Sequence, residues 1–250
     1  MKRALIIFLF VTSPFLVMGQ RTVKDSVISF PMIGATGAWQ VPGGDMNNRF
    51  GNNFNIGGVF QLKTKKNFVL GLDGQFLFGN TVNENYILDS ITTKQGGIIA
   101  ANGDFATVFL YERGWKFEVK LGKIFPLIGP NKNSGLFTSF GAGILQHKIR
   151  IENQKSSIPA IEDDYKKGYD RLSNGLSLTG FIGYINFGNR KLVNFYAGFE
   201  FTKALTQNRR SFNFDTREQD LKKRNDLLSG FRLGWVIPIY KRAPKDYYYN

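Results

Sequence analysis

Between Ser229 and Tyr240 the chain alternates strictly: Phe231, Leu233, Trp235, Ile237 and Ile239 fall on one face of an extended strand, and Arg232 and Gly234 on the other. A strand with a large greasy face and a small or polar one suits a barrel wall whose outside meets lipid and whose inside holds polar groups. A soluble sheet also alternates, but it hides its greasy face beneath a second layer. What decides is the polar face of the other alternating runs, because it carries Asp73, Lys116, Glu118, Lys120, Glu200 and Arg232. A lipocalin-like barrel turns its greasy residues inward around a ligand, and burying this many charges in such a core is costly. In a small membrane barrel the same charges neutralise one another and fill the lumen. The expected fold is therefore all-β: a transmembrane, antiparallel, up-and-down barrel of about eight strands.

The strand candidates come in order. Val27 to Val41 is the first, ended by Pro42-Gly43-Gly44-Asp45. Phe54 to Leu62 and Phe68 to Phe78 follow, joined by the short turn Lys63-Thr64-Lys65-Lys66. A long polar connection runs from about Asn80 to Asp104. Within Phe105 to Leu127, Glu112-Arg113-Gly114 reads either as a tight turn or as part of one long strand. Outer-membrane barrels have short periplasmic turns and long outer loops, so only the single strand puts every long loop outside. Trp115, Phe117, Val119, Leu121 and Phe125 then face lipid. Gly129 to Gly135 is a turn, and Leu136 to Ile144 the fifth strand. Leu176 to Phe187 is the sixth, Val193 to Phe201 the seventh, and the opening stretch closes the wall. Charged connections at about Glu152 to Asn174 and Leu205 to Asp226 separate the last strands.

Lys2 and Arg3 precede an uncharged apolar run from Ala4 to Val11, and Val17-Met18-Gly19 supplies compact residues for cleavage. Residues 1–19 thus read as a signal peptide, 20–243 as the barrel and 244–250 as a tyrosine-rich periplasmic tail. The expected location is the outer membrane of a Gram-negative cell. Later apolar runs fall short of the ~20 residues of a membrane helix. The formal charge of +14 would ordinarily suggest nucleic acid, but an exported chain meets lipid phosphates instead. The chain has no cysteine, which excludes disulfides, thiolate nucleophiles and thiolate metal sites.

Counting from the hairpin ends places Asp73 near Lys120, His147 near Lys116 and Glu118, and Glu200 near Arg232. This network is expected to plug the lumen, since eight strands enclose room for side chains alone. His147 is the only histidine, and Ser139 lies about 26 Å away along the strand, so no catalytic pair is assigned. No metal site and no cofactor are expected. In the loops, Tyr165, Tyr169, Arg171, Arg209, Arg210, Phe212 and Phe214 mix arginine with aromatics, the residue types that anchor protein interfaces or grip lipid phosphates. The periplasmic edge is basic at Lys63, Lys65, Lys66, Lys132, Arg190, Lys191, Lys241, Arg242 and Lys245, which suits inner-leaflet phosphates. Tyr247, Tyr248 and Tyr249 suit the interfacial belt or a periplasmic partner.

The signal peptide, the strand pattern, the Pro42-Gly43-Gly44-Asp45 to Arg49-Phe50-Gly51 connection, and the Gly-Tyr-Asp-Arg and Arg-Arg-Ser-Phe-Asn-Phe-Asp segments together resemble small outer-membrane β-barrel proteins of the Bacteroidota. The resemblance covers the whole mature chain. That group includes accessory subunits of type IX secretion and β-barrel assembly machinery. The resemblance implies a candidate accessory role; with the filled lumen and the arginine- and aromatic-bearing loops, the expectation is a non-enzymatic accessory or scaffolding subunit whose partners are outer-membrane lipids, including lipopolysaccharide, and other outer-membrane or periplasmic proteins. The alternatives are a small-solute or lipid-handling barrel and an outer-membrane lipid hydrolase.

Overall fold

Alternation alone leaves a sheet with two unpaired edges, and closure is what removes them in lipid. The computed structural model describes residues 26–154, 157–188 and 193–240. Eight long strands form the wall: β1 (Phe30–Gly44), β2 (Asn53–Lys63), β3 (Phe68–Gly79), β4 (Phe105–Phe125), β5 (Gly135–Gln154), β6 (Ser173–Phe187), β7 (Asn194–Asn208) and β8 (Lys223–Pro238). Each pairs antiparallel with its sequence neighbours, β1 pairs with β8, and β3 pairs directly with β4. The ring is an up-and-down barrel, as the alternation predicts. A further strand of two residues, Ile98–Ile99, lies against the upper part of β4.

Glu112-Arg113-Gly114 lies inside β4, which runs unbroken through 21 residues. The three longest connections, 80–104, 155–172 and 209–222, consequently fall at one end of the barrel, the upper end, together with the shorter 45–52 connection. At the lower end the β2–β3 turn closes tightly: the Asn67 amide donates to the Thr64 carbonyl at 3.0 Å, and Asn67 takes φ 60°, a region that asparagine tolerates. At the upper end β1 outruns its expected stop, because Pro42 and Gly43 still lie opposite Leu228 and Leu227 of β8. Gly44 then turns the chain at φ 60°, where an added Cβ would sit 2.3 Å from the Asn225 carbonyl oxygen. The charged connections are shorter than the sequence suggests. β5 continues to Gln154, β7 to Asn208, and β8 starts at Lys223.

The wall is greasy outside. Phe60, Leu72, Phe117, Phe140 and Phe199 are all exposed to the surroundings. Aromatic girdles border this band. Toward the upper end Trp39 lies opposite Phe54, Phe54 stacks on Phe78 at 6.2 Å, and Phe76 faces Trp115. Toward the lower end Phe195 faces Trp235. The shortest wall strand, β2, has 11 residues. At about 3.4 Å per residue and a tilt of ~40° it rises about 28 Å, enough for an apolar band about 25 Å tall. Among the described residues no helix is long and apolar enough to cross a membrane.

The interior has three storeys. Phe30, Met32, Val59, Ile124, Phe137, Phe181 and Val236 fill the lower one. Charged groups fill the middle. Phe50, Leu77, Leu145, Ile149, Ile151 and Tyr169 belong to the upper one, which continues into the folded connections.

Candidate functional site

The middle storey is assembled from four strands that the barrel brings around one axis. Lys116, Glu118 and Lys120 occupy three successive inward positions of β4, while β3 contributes Asp73, β7 Glu200 and β8 Arg232. Glu200 is the hub: its Oε1 accepts from Lys116 Nζ at 3.1 Å and Arg232 Nη2 at 2.9 Å, and its Oε2 from Lys120 Nζ at 3.0 Å. Asp73 Oδ2 bridges Arg232 Nη1 at 2.8 Å and Lys120 Nζ at 2.6 Å. Glu118 lies 3.5 Å from Lys116 and 3.4 Å from Lys120.

Three carboxylates thus face three cations, so the cluster is neutral although every member is buried. Neutral side chains satisfy most of what remains. Lys116 donates to Thr202 Oγ1 at 3.0 Å, Gln75 to Asp73 Oδ1 at 2.8 Å, and Thr179 to Glu118. A buried charge is tolerable when it is paired and hydrogen-bonded in this way.

His147 does not join this cluster. The lower hairpin sets Phe125 opposite Leu136, which puts Leu145 opposite Lys116 and carries His147 up to Gly114. Counting from the hairpin ends sets it two to four residues too low, beside Lys116 and Glu118. Opposite Gly114, His147 Nε2 lies 2.9 Å from Asp226 Oδ2, which also accepts from Thr206, and the Phe50 ring packs edge-on against the imidazole at 5.5 Å. Ser173 of β6 is opposite His147, but its hydroxyl donates to the Arg171 carbonyl and accepts from Arg49 Nη1 at 2.8 Å. Ser139 pairs with Gly122 near the lower end.

The upper mouth is closed by the chain's own connections. After Gly44, the short 3-10 helix Asp45–Asn48 leads Arg49 and Phe50 into the lumen. Amides of Gly51 and Asn83 donate to the Thr81 and Arg49 carbonyls at 3.1 and 2.7 Å and stitch this segment to the next connection. Arg49 reaches Glu84 at 3.4 Å and Asp220 at 3.9 Å, and Arg171 reaches Glu84 at 3.6 Å and pairs with Asp215. Arg210 forks onto Asp170, with Nε at 2.8 Å from Oδ1. Burial favours the neutral form of Asp220, but its hydrogen bonds from Arg224 and the Lys222 amide, with the Arg224 and Arg49 charges, hold its carboxyl below the ordinary range.

This cap reassigns the loop residues. Tyr169 and Arg171 are buried, Arg210 is engaged with Asp170, and Phe214 packs on Tyr169 at 5.4 Å. Those four serve the chain's own closure, because loops that overhang a barrel mouth bury their aromatics against its upper residues. Arg209 bonds Asn174 at 2.6 Å from an exposed position, and Tyr165 and Phe212 remain exposed.

At the lower end Lys65 and Lys66 are exposed on the turn, whereas Lys63 is a plug residue. Its Nζ donates to Asn133 Oδ1 at 2.8 Å and the Ile28 carbonyl at 3.1 Å, because position 63 points into the lumen. Arg190, Lys191, Lys241, Arg242, Lys245, Tyr247, Tyr248 and Tyr249 lie outside the described residues. Sequence reasoning missed Arg49, Phe50, Glu84, Asp215 and Asp220. The one available signal was a large Arg-Phe pair set among asparagines and glycines, which a merely solvated connection does not require.

A closed ring of eight antiparallel strands, greasy and aromatic-girdled outside and filled with paired charges inside, is a transmembrane β-barrel. No family model matches the sequence, and no curated protein matches it. Among solved structures it is similar to the N-terminal β-barrel domain of Pseudomonas aeruginosa OprF, at 11% identity over 84% of this chain and 97% of that chain with a TM-score of 0.36. It is also similar to Ail, the attachment invasion locus protein of Yersinia pestis, at 11% identity over the same shares with a TM-score of 0.35. For Ail in complex with the heparin analogue sucrose octasulfate the identity is 12%, again over 84% of this chain and 97% of that chain, and the TM-score 0.32. The architecture here rests on the strand pairings themselves.

Proposed function

We propose that this protein is an outer-membrane barrel that neither conducts solutes nor catalyses a reaction, and that it serves as an accessory or scaffolding subunit of an envelope protein complex. The observation that carries this reading is the lumen. A neutral six-charge cluster sits between two apolar storeys, and the upper connections fold over it. Work must then be done by the outer surfaces. Tyr165 and Phe212 stand exposed on the cap, and Leu127 and Ile128 are 76% and 78% exposed on a lower turn, in keeping with contacts to other envelope proteins at both ends. The lone histidine, held by Asp226 beneath Phe50 and opposite a serine already engaged with Arg49, gives no support to a hydrolase.

The complex is proposed, on the Bacteroidota resemblance, to be a secretion or barrel-assembly machine, with outer-membrane lipids including lipopolysaccharide around the wall. Tagged protein extracted in mild detergent should co-purify with defined envelope proteins. Recovery of the barrel alone, under conditions that keep known complexes intact, would refute the scaffold role. Planar bilayers should show no discrete conductance steps, and reproducible openings that vary with substitutions at Glu118 or Arg232 would refute the sealed lumen and favour a solute-handling barrel.

A further inference from the structure

β4 and β5 climb above the rest of the wall. The last β3–β4 pair is Gly79 with Glu112 and the last β5–β6 pair is His147 with Ser173, yet β4 and β5 stay paired up to Thr107 with Gln154. At the base of this ribbon, on its outward face, Arg113 stands directly opposite Lys148, with Arg150 opposite Tyr111 one rung higher. Like charges placed across a ladder repel. Among the described residues no carboxylate forms an ion pair with Arg113 or Lys148; the buried Glu112 carboxyl attracts Arg113 without contact, and Glu152 is taken by Arg150 at 2.6 Å. Arg113 is steadied by neutral groups, its Nη1 donating to the Glu112 carbonyl at 2.6 Å and its guanidinium lying 5.0 Å from the Tyr111 ring centre.

The height of the pair matters as much as its charge. Below Arg113 the outward positions of β4 are Trp115, Phe117, Val119 and Leu121, and the next cation is Lys123, which lies against the Phe68 and Phe125 rings. From Lys123 to Arg113 is about 33 Å of strand, or about 25 Å of height at a ~40° tilt, which equals the apolar band of such barrels. Arg113 and Lys148 therefore stand at the upper headgroup plane. Beside them the rings of Phe109 and Tyr111 stack at 6.3 Å with Arg113 over Tyr111, and a groove of ≈ 360 Å³ runs along Phe109, Tyr111, Lys148, Arg150 and Lys166, with the carboxylates Glu152 and Asp170 also in its wall.

We infer that the outward face of the β4–β5 ribbon binds a phosphorylated glycolipid of the outer leaflet, a lipid A-type phosphate bridging Arg113 and Lys148 while its sugar rests against the exposed Phe109. This inference rests on the outer-membrane reading above. Guanidinium and ammonium groups match phosphate oxygens with charge-assisted hydrogen bonds, and the anion removes the repulsion across the ladder.

Native mass spectrometry of the folded barrel, with a bisphosphorylated acyl-glucosamine disaccharide or the same lipid stripped of both phosphates, tests it. The phosphorylated lipid should be retained and the stripped lipid lost. Arg113→Gln/Lys148→Gln should lower retention at least about tenfold, the loss of roughly one good charged contact. Lys148→Gln alone should lower it in the same direction, and Lys65→Gln/Lys66→Gln at the opposite end should leave it unchanged. Equal retention of the two lipids, equal retention by the parent and the Arg113/Lys148 variant, or full displacement by phosphatidylglycerol would overturn the site. A chain that fails to insert into bilayers overturns the membrane reading and this inference together. One that inserts but does not distinguish the lipids overturns only this.

Discussion

Replacing Glu200 with glutamine removes one negative charge and almost no volume, yet it unbalances the whole lumen. Three cations, Lys116, Lys120 and Arg232, contact this carboxylate at 3.1, 3.0 and 2.9 Å, and the groups around them are buried. After the change, Asp73 and Glu118 face three positive charges, and the new amide must turn its NH2 toward a cation. Losing one partner of a buried ion pair costs about 3–5 kcal/mol, and the forced donor-to-donor contact argues for the upper part of that range. Lys116 leans on Glu200 more closely than on Glu118, at 3.1 against 3.5 Å, so Lys116→Met added to Glu200→Gln restores neutrality at the smallest further loss. The double variant should recover at least about 1–2 kcal/mol of the single variant's deficit, a coupling typical of residues in one network. Reversible urea unfolding in vesicles, read by tryptophan fluorescence and by migration of unheated samples on gels, measures both. A single variant within about 1 kcal/mol of the parent, or a double variant less stable than the single, would refute the charge-balance account.

Two further outcomes come from the connections and the wall. Gly44→Ala should destabilise by more than about 1 kcal/mol, since φ is 60° and the new Cβ meets the Asn225 carbonyl oxygen, whereas Gly180→Ala should cost little because nothing lies within 4 Å; urea midpoints of the two variants check the contrast. Asp220 has a depressed carboxyl pKa, so its contribution to the cap is present above the ordinary aspartate range, near about pH 4, and is lost as pH falls through its folded value. Protection of the Gly51 and Asn83 amides, as exchange relative to the intrinsic rate at each pH, should fall on acidification below that range, and Asp220→Asn should remove the pH step.

How far the sequence could be read depends on which physical constraint acted on each residue. The β4 cluster was legible because period two is local: Lys116, Glu118 and Lys120 must share a face whatever their neighbours do. Loop parity similarly decided that Arg113 lies within a strand. The place of His147 was not legible, since it hangs on how Phe125 meets Leu136 across a nine-residue turn, and a shift of two residues keeps the same face while changing every partner. Lys63 shows the other limit. A lysine beside a turn of lysines looks solvated, and only the inward parity at the end of β2, with Asn133 waiting opposite, makes it a plug.

The inward place of Tyr169, Arg171 and Phe214 was not legible for a related reason. Arginine and tyrosine anchor interfaces with partners and with the chain's own barrel mouth by the same chemistry, and the sequence does not say which surface lies within reach. By itself the sequence determined the solvent on each side of the wall, the number of strands and the direction of the long connections, because these follow from alternation and from the need to pair backbone groups in lipid. Only the tertiary structure decided that three of the lumen cations converge on Glu200, that Arg49, Phe50, Tyr169 and Arg171 close the mouth, and that Arg113 and Lys148 meet on the outside. Those are relations between strands far apart in the chain, and they exist only once registers are set and the ring is shut.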